Sequence, residues 1–254
     1  MITFSEKHAA LLETVPFDGE LSDEVVNYAH DGVALEGYLA VDAAVDGPRP
    51  AVLVLHDWTG PQEYTRLRTH MIARLGYVAF AADLYGAGVR PTSQEDCQAE
   101  AGKFYGDLPL MRARVQAAYD VLAADPRVDA SAIVVIGYCF GGSAALEFAR
   151  TGAALAGVVS FHGALITHEP SDAAAIATPL LILTGASDPV VPDADVVSFQ
   201  AELRDADVDF EIVSYAGAPH AFTLPEIPMY RPKADARSWT RFRAFLDEVA
   251  LVRS

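Results

Sequence analysis

Two cysteines in 254 residues, Cys97 and Cys139, are too few for a disulfide framework, and neither belongs to a Cys-x-x-Cys pair. No stretch approaches the ~18 uninterrupted apolar residues of a membrane-spanning helix. The first 20 residues lack the apolar block and small-residue cleavage site of a secretory signal. The sequence therefore predicts a soluble protein of the reducing cytoplasm. Basic residues are scarce as well: 18 Lys and Arg face 35 Asp and Glu, a formal charge of −17, which repels nucleic-acid phosphates and anionic membranes alike. Neither is expected as a partner, and the charge leaves monomer and homodimer both open. No repeat, low-complexity tract or Pro/Gly/Ser-rich linker divides the chain, so a single domain over 1–254 is expected. His8, His30, His70 and His168 lack partners at metal-ligand spacing, and no His-Glu-x-x-His occurs, so no metal is expected.

What is there reads as a globular α/β chain, 52% hydrophobic and 21% charged. Residues 24–28 and 35–41 alternate apolar and polar around Asp31-Gly32, a turn dipeptide, and predict an opening antiparallel pair. Residues 51–55, 77–81, 133–136, 155–160 and 180–183 are short apolar runs, as expected of parallel strands covered on both faces. Helical patterns lie between and after them, at 64–75, 109–124, 141–150, 194–203 and 235–252. Strand alternating with helix predicts a mixed, mostly parallel sheet with helices on both faces. Residues 225–232, with three prolines, read as a rigid surface loop.

The chemistry concentrates at residues 133–142, where Ile-Val-Val-Ile runs into Gly137-Tyr138-Cys139-Phe140-Gly141-Gly142 and then into a helical stretch. This is the strand, tight turn and helix of a nucleophile elbow, with cysteine in place of serine. The turn leaves almost no room for side chains two residues to either side of the nucleophile, which accounts for Gly137 and Gly141, and the helix start favours a thiolate. Cys97, between Asp96 and Gln98, has no such setting and reads as a small buried hydrophobe.

An elbow nucleophile is followed along the chain by an acid and then a histidine. Asp188 stands in the loop leaving the strand at 180–183, and His220 in the loop leaving a further strand at 210–215. The oxyanion of the reaction needs two amides, assigned to Phe140 after the nucleophile and to Trp58 in the loop after the strand at 51–55. Phe161 and His162, ending the strand at 155–160, share this carboxyl edge and are read as lining the cleft. Only about 15 residues separate His162 from the next strand, so no cap domain is expected.

Taken together, His56-Asp57-Trp58-x-Gly60, Asp83-Leu84-Tyr85-Gly86, the elbow, Asp188-Pro-Val-Val-Pro and Gly217-x-x-His220-x-Phe222 resemble the dienelactone hydrolase family. The likeness extends from about residue 23 to the end, over five loops. It implies a single-domain α/β-hydrolase fold, a Cys139-His220-Asp188 triad, and the opening of small lactones or esters without a cofactor. It also implies that Asp57, where the family usually has glutamate, holds and activates the resting thiol. A loop-ordering hydrogen bond is the other reading of Asp57. The family's two carboxylate-binding arginines fall on Ala87 and Thr223, a departure that moves the expected substrate away from dienelactone itself. Arg90, three residues beyond Ala87, is the candidate to replace them, and Phe222 belongs to the same substrate-facing set.

Other readings compete with the cysteine hydrolase. Ser143 and Ser187 lie close by but lack the elbow's second glycine. A non-catalytic module that binds a small ligand or a partner on the hydrolase scaffold is the alternative from another class. A redox role for Cys139 would need a resolving thiol, and the sequence does not place Cys97 beside it.

Overall fold

The computed structural model describes residues 3–168 and 170–250. Eight strands and seven α-helices occur among them, in two compact units, 1–133 and 134–254.

In the first unit, helix α1 (Glu6–Leu12) starts at Ser5, whose Oγ accepts from the His8 amide at 3.2 Å. Strands β1 (Leu21–His30) and β2 (Val33–Asp42) form the antiparallel hairpin. Its two-residue turn puts both Asp31 (φ 48°) and Gly32 (φ 75°) in the left-handed region, the twist that suits a tight hairpin. Strand β3 (Arg49–Leu55) is buried throughout, followed by α2 (Glu63–Ala73), β4 (Val78–Ala82), α3 (Gln94–Tyr105) and α4 (Leu108–Ala123). The strand order is β1-β2-β4-β3, with β2 antiparallel to both neighbours and β3 parallel to β4. Arg74 and Glu63 fasten the amino-terminal segment. Arg74 donates to the Leu12 and Val15 carbonyls at 3.0 and 3.1 Å, and Glu63 accepts from the Ser5 amide at 2.7 Å.

The second unit begins inside β5 (Val128–Tyr138) and continues through α5 (Phe140–Ala149), β6 (Gly157–Phe161), β7 (Leu180–Gly185), α6 (Asp193–Asp205), β8 (Phe210–Tyr215) and α7 (Pro232–Val249). Strands β5-β6-β7-β8 run parallel in that order. Every residue of β6, β7 and α5 is buried, which fits their apolar composition. Helix α7 is amphipathic and buries Trp239, Phe242, Phe245 and Leu246. Phe242 packs edge-on to Phe161, and its truncation to alanine would cost about 3–5 kcal/mol. Between β6 and β7 the described residues hold one short 3-10 turn, Ala173–Ala175, with no inserted cap.

Differences from the expected elements have local causes. Helix α7 begins three residues earlier than its apolar pattern, because Pro232 occupies its first turn, where no amide is needed. Residues 251 and 252 of the expected last helix lie outside the described residues. Helices α1 and α3 were not expected: α1 spans seven residues, and α3 buries only Cys97, Ala101 and Phe104. No helix among the described residues is long and apolar enough to cross a membrane.

Candidate active site

Cys139 caps the start of α5 at φ 53°, ψ −113°, a backbone region costly for any residue with a side chain. Fixed bonds hold it there. Its amide donates to the Phe161 carbonyl at 2.9 Å, and its carbonyl accepts from the Ser143 amide at 3.2 Å. The turn closes so tightly that a Cβ on Gly137 would collide with the Gly141 carbonyl. The half-buried thiol thus stands at the carboxyl end of β5, over the positive end of a helix.

His220 arrives on the loop after β8 and Asp188 on the loop after β7, so adjacent parallel strands deliver both to the same edge. His220 Nε2 lies 3.0 Å from Cys139 Sγ, and Nδ1 lies 2.9 Å from Asp188 Oδ2. Since a carboxylate only accepts, Nδ1 carries the proton that faces it. Asp188 Oδ1 in turn accepts from the Val190 and Val191 amides at 2.8 and 3.1 Å. Burial by itself lowers the pKa of His220. The hydrogen bonds to Asp188 and to the Cys139 sulfur, with their charges, outweigh it and push the value up to about 10.

The backbone around the three residues is conspicuously constrained. Of five described non-glycine residues with positive φ, three belong here: Cys139, His162 (φ 43°) and Ala221 (φ 57°). Such conformations persist only where surrounding contacts enforce them.

The other anticipated residues fall as follows. Phe140 is the first residue of α5, so its amide belongs to the helix's opening turn. Phe161 is 1% exposed and stacks on Tyr138 at 4.6 Å, a core position beneath the elbow. Phe222 is fully buried against His162 and Tyr215. His162 is also buried, with its ring against His220. Ser143 is 1% exposed, and its hydroxyl accepts from the Ala164 amide at 2.9 Å, while Ser187 is exposed. In the first unit, Asp57 Oδ1 accepts from the Thr59 amide and hydroxyl at 2.7 and 2.6 Å, the loop-ordering bonds of its second reading. Trp58 is 37% exposed, and its carbonyl accepts from the Tyr85 hydroxyl. Arg90 donates to the Gly86 and Val89 carbonyls and stands 3.7 and 3.8 Å from the Glu36 and Asp83 carboxylates, so its charge is already answered. Cys97 is buried, and burial raises its pKa.

Two features escaped the sequence reading. Thr223 joins His162 through a hydrogen bond that no spacing announces, across 61 residues. Arg150, fully buried, pairs with Glu202, Asp172 and Glu147, and its partner Glu202 lines an open cavity of about 440 Å³ together with His168 and Ser171, among others. Among the described residues no three His, Cys, Asp or Glu side chains converge as a metal-binding group.

The sequence model of the Dienelactone hydrolase family matches residues 35–250. A solved dienelactone hydrolase-like promiscuous phosphotriesterase from metagenomic libraries superposes with a TM-score of 0.87 at 35% identity, covering 91% of this chain and 99% of its own. A Salmonella typhimurium (strain LT2) protein assigned as a carboxymethylenebutenolidase is 28% identical, over 88% of this chain and 86% of its own. A Bradyrhizobium protein assigned as a 2-oxo-3-(5-oxofuran-2-ylidene)propanoate lactonase is 28% identical over 87% of this chain and 92% of its own.

Proposed function

Since the chain belongs to the dienelactone hydrolase family, we propose that it is a cysteine-dependent hydrolase of small carboxylic esters or lactones that works through an acyl-cysteine. The observation that carries this reading is the continuous line from Cys139 Sγ to His220 Nε2 at 3.0 Å and from His220 Nδ1 to Asp188 Oδ2 at 2.9 Å, rooted on a strained elbow.

His220 holds the proton of Cys139, and the thiolate attacks the substrate carbonyl. The carbonyl oxygen becomes an oxyanion, held by the Phe140 amide. When the tetrahedral adduct collapses, the carbon–oxygen bond of the ester breaks and His220 gives its proton to the departing alkoxide. In a lactone that alkoxide stays tethered to the acyl group. A water then attacks the thioester while His220 takes its proton; the acid leaves, and the thiolate and imidazolium are restored. Asp188 keeps the imidazole oriented and stabilises its positive charge throughout. No step calls on a cofactor.

The substrate expected is a small ester or lactone that needs no arginine clamp, since Thr223 is buried and Arg90 is engaged by carboxylates. Initial rates on small aryl esters, simple lactones and a dienelactone, for the wild type and Cys139→Ala, test the proposal. Loss of at least ~10³-fold in the variant is expected. Undiminished turnover by Cys139→Ala would sink it, and no turnover of any substrate by the wild type would favour the binding-module reading.

A further inference from the structure

His162 follows the last residue of β6, and its backbone sits at φ 43°, without the freedom of a glycine. Its amide donates to the Leu183 carbonyl at 2.8 Å, which fixes the main chain against β7. The side chain, 1% exposed, is fixed as well, because Nε2 and Thr223 Oγ1 are joined by a 2.8 Å hydrogen bond and Thr223 is completely buried. The imidazole is therefore held at both ends before it meets anything in the cleft.

What it meets is His220. The two rings lie edge to face, with centroids 5.4 Å apart and planes at 67°. His162 makes a similar contact with Phe222, at 5.3 Å and 75°. Residues 220, 222 and 223 lie on one short loop, bent at Ala221 (φ 57°), and His162 touches all three. Asp188 fixes one nitrogen of His220 but leaves the ring free to tilt about that bond. An aromatic edge against the ring face opposes this tilt.

We propose that His162 is a positioning residue: its buried ring, locked by Thr223, sets the tilt of His220 and keeps Nε2 trained on Cys139 through acylation and deacylation. It acts through His220 and performs no proton transfer of its own. The inference rests on the cysteine-hydrolase reading of the same site, and its test separates the two.

The variants are Thr223→Val, which removes one hydroxyl at nearly constant shape; His162→Gln, which removes the ring; and the double variant His162→Phe/Thr223→Val, which keeps a ring and removes both polar partners together. The readouts are kcat and KM on a small aryl ester and the pH profile of Cys139 alkylation by iodoacetamide, with thermal unfolding as a check on folding. Cys97 is 3% exposed, so the reagent reports on Cys139. Misplacing a reacting group by about 1 Å costs on the order of a hundredfold. A tenfold or greater fall in kcat is therefore expected for His162→Gln, with a smaller fall for Thr223→Val. KM should stay within about twofold, the alkylation profile should shift, and the double variant should recover most of kcat.

Folded Thr223→Val and His162→Gln proteins with wild-type kcat and alkylation profile would overturn the proposal. So would a fall in kcat with an unmoved alkylation profile, which assigns His162 to general stability alone. Should the wild type turn over no ester while the variants still shift the alkylation profile, positioning stands and the substrate reading falls. If His162→Gln fails to fold, Thr223→Val decides.

Discussion

Asp188 gives one carboxylate oxygen to His220 and the other to the backbone: Oδ2 lies 2.9 Å from Nδ1, while Oδ1 takes the amides of Val190 and Val191. The carboxylate cannot rotate away without breaking the hydrogen bonds from both amides. The orientation of the imidazole is thereby inherited from the main chain after β7.

Exchanging that carboxylate for an amide should reverse the tautomer. In Asp188→Asn the side-chain amino group can present a donor to Nδ1, forcing the ring proton onto Nε2, towards the sulfur. Steady-state kinetics on the best ester should show kcat reduced by on the order of 10³–10⁴-fold, with a folded protein by circular dichroism.

The raised pKa of His220 makes a prediction about stability. Its folded value of about 10 exceeds the ordinary 6.5, so the interactions of the imidazolium stabilise the fold fully below about pH 6.5, and that contribution is lost as pH rises towards 10. Urea unfolding of the wild type and Asp188→Asn at pH 6, 8 and 10 should give a stability gap that narrows with pH. A gap independent of pH would contradict the assignment.

Arg150 should matter more to folding than any surface cation. Its guanidinium donates to both oxygens of Glu202 at 2.8 Å and to Asp172 at 2.6 Å, with Glu147 3.6 Å away. Arg150→Met leaves buried carboxylates without their counter-charge, at a cost of about 3–5 kcal/mol by chemical denaturation.

Gly137→Ala tests the closeness of the elbow. The added Cβ meets the Gly141 carbonyl, which is main chain and cannot swing aside. A loss of about 1–3 kcal/mol in stability is expected, with esterase activity falling as Cys139 is displaced.

Arg90→Ala tests whether this side chain senses substrate charge. Held by two carbonyls and two carboxylates, it should contribute little to anion binding, so kcat/KM for a neutral ester and for one bearing a free carboxylate should change by the same factor. A selective loss on the charged ester would restore Arg90 as an anion clamp.

The fold was legible where burial writes a simple pattern. Residues 51–55 and 180–183 are apolar because both faces of β3 and β7 are covered. The Asp31-Gly32 turn was legible because only certain residues accept two left-handed positions in succession. The proximity of Cys139, Asp188 and His220 followed from chain order and from each standing at the end of a strand. Helix α3 was missed because its buried stripe is narrow, although Ser93-x-x-Asp96 offered a start signal: the Ser93 hydroxyl does accept from the Asp96 amide. The pairings of His162 with Thr223 and of Arg150 with Glu202 left no such trace. They join residues 61 and 52 positions apart through side chains alone, and no local pattern encodes a contact of that kind.

The left-handed backbone at Cys139 makes no reference to sulfur. Its φ and ψ are set by the junction of β5 and α5 and by the missing side chain at Gly137. If Cys139 is the nucleophile proposed above, the scaffold sets where attack occurs and the atom at its tip sets the acyl intermediate. On the proposed mechanism, Cys139→Ser would exchange the thioester for an oxygen ester while leaving the glycine that permits the turn in place.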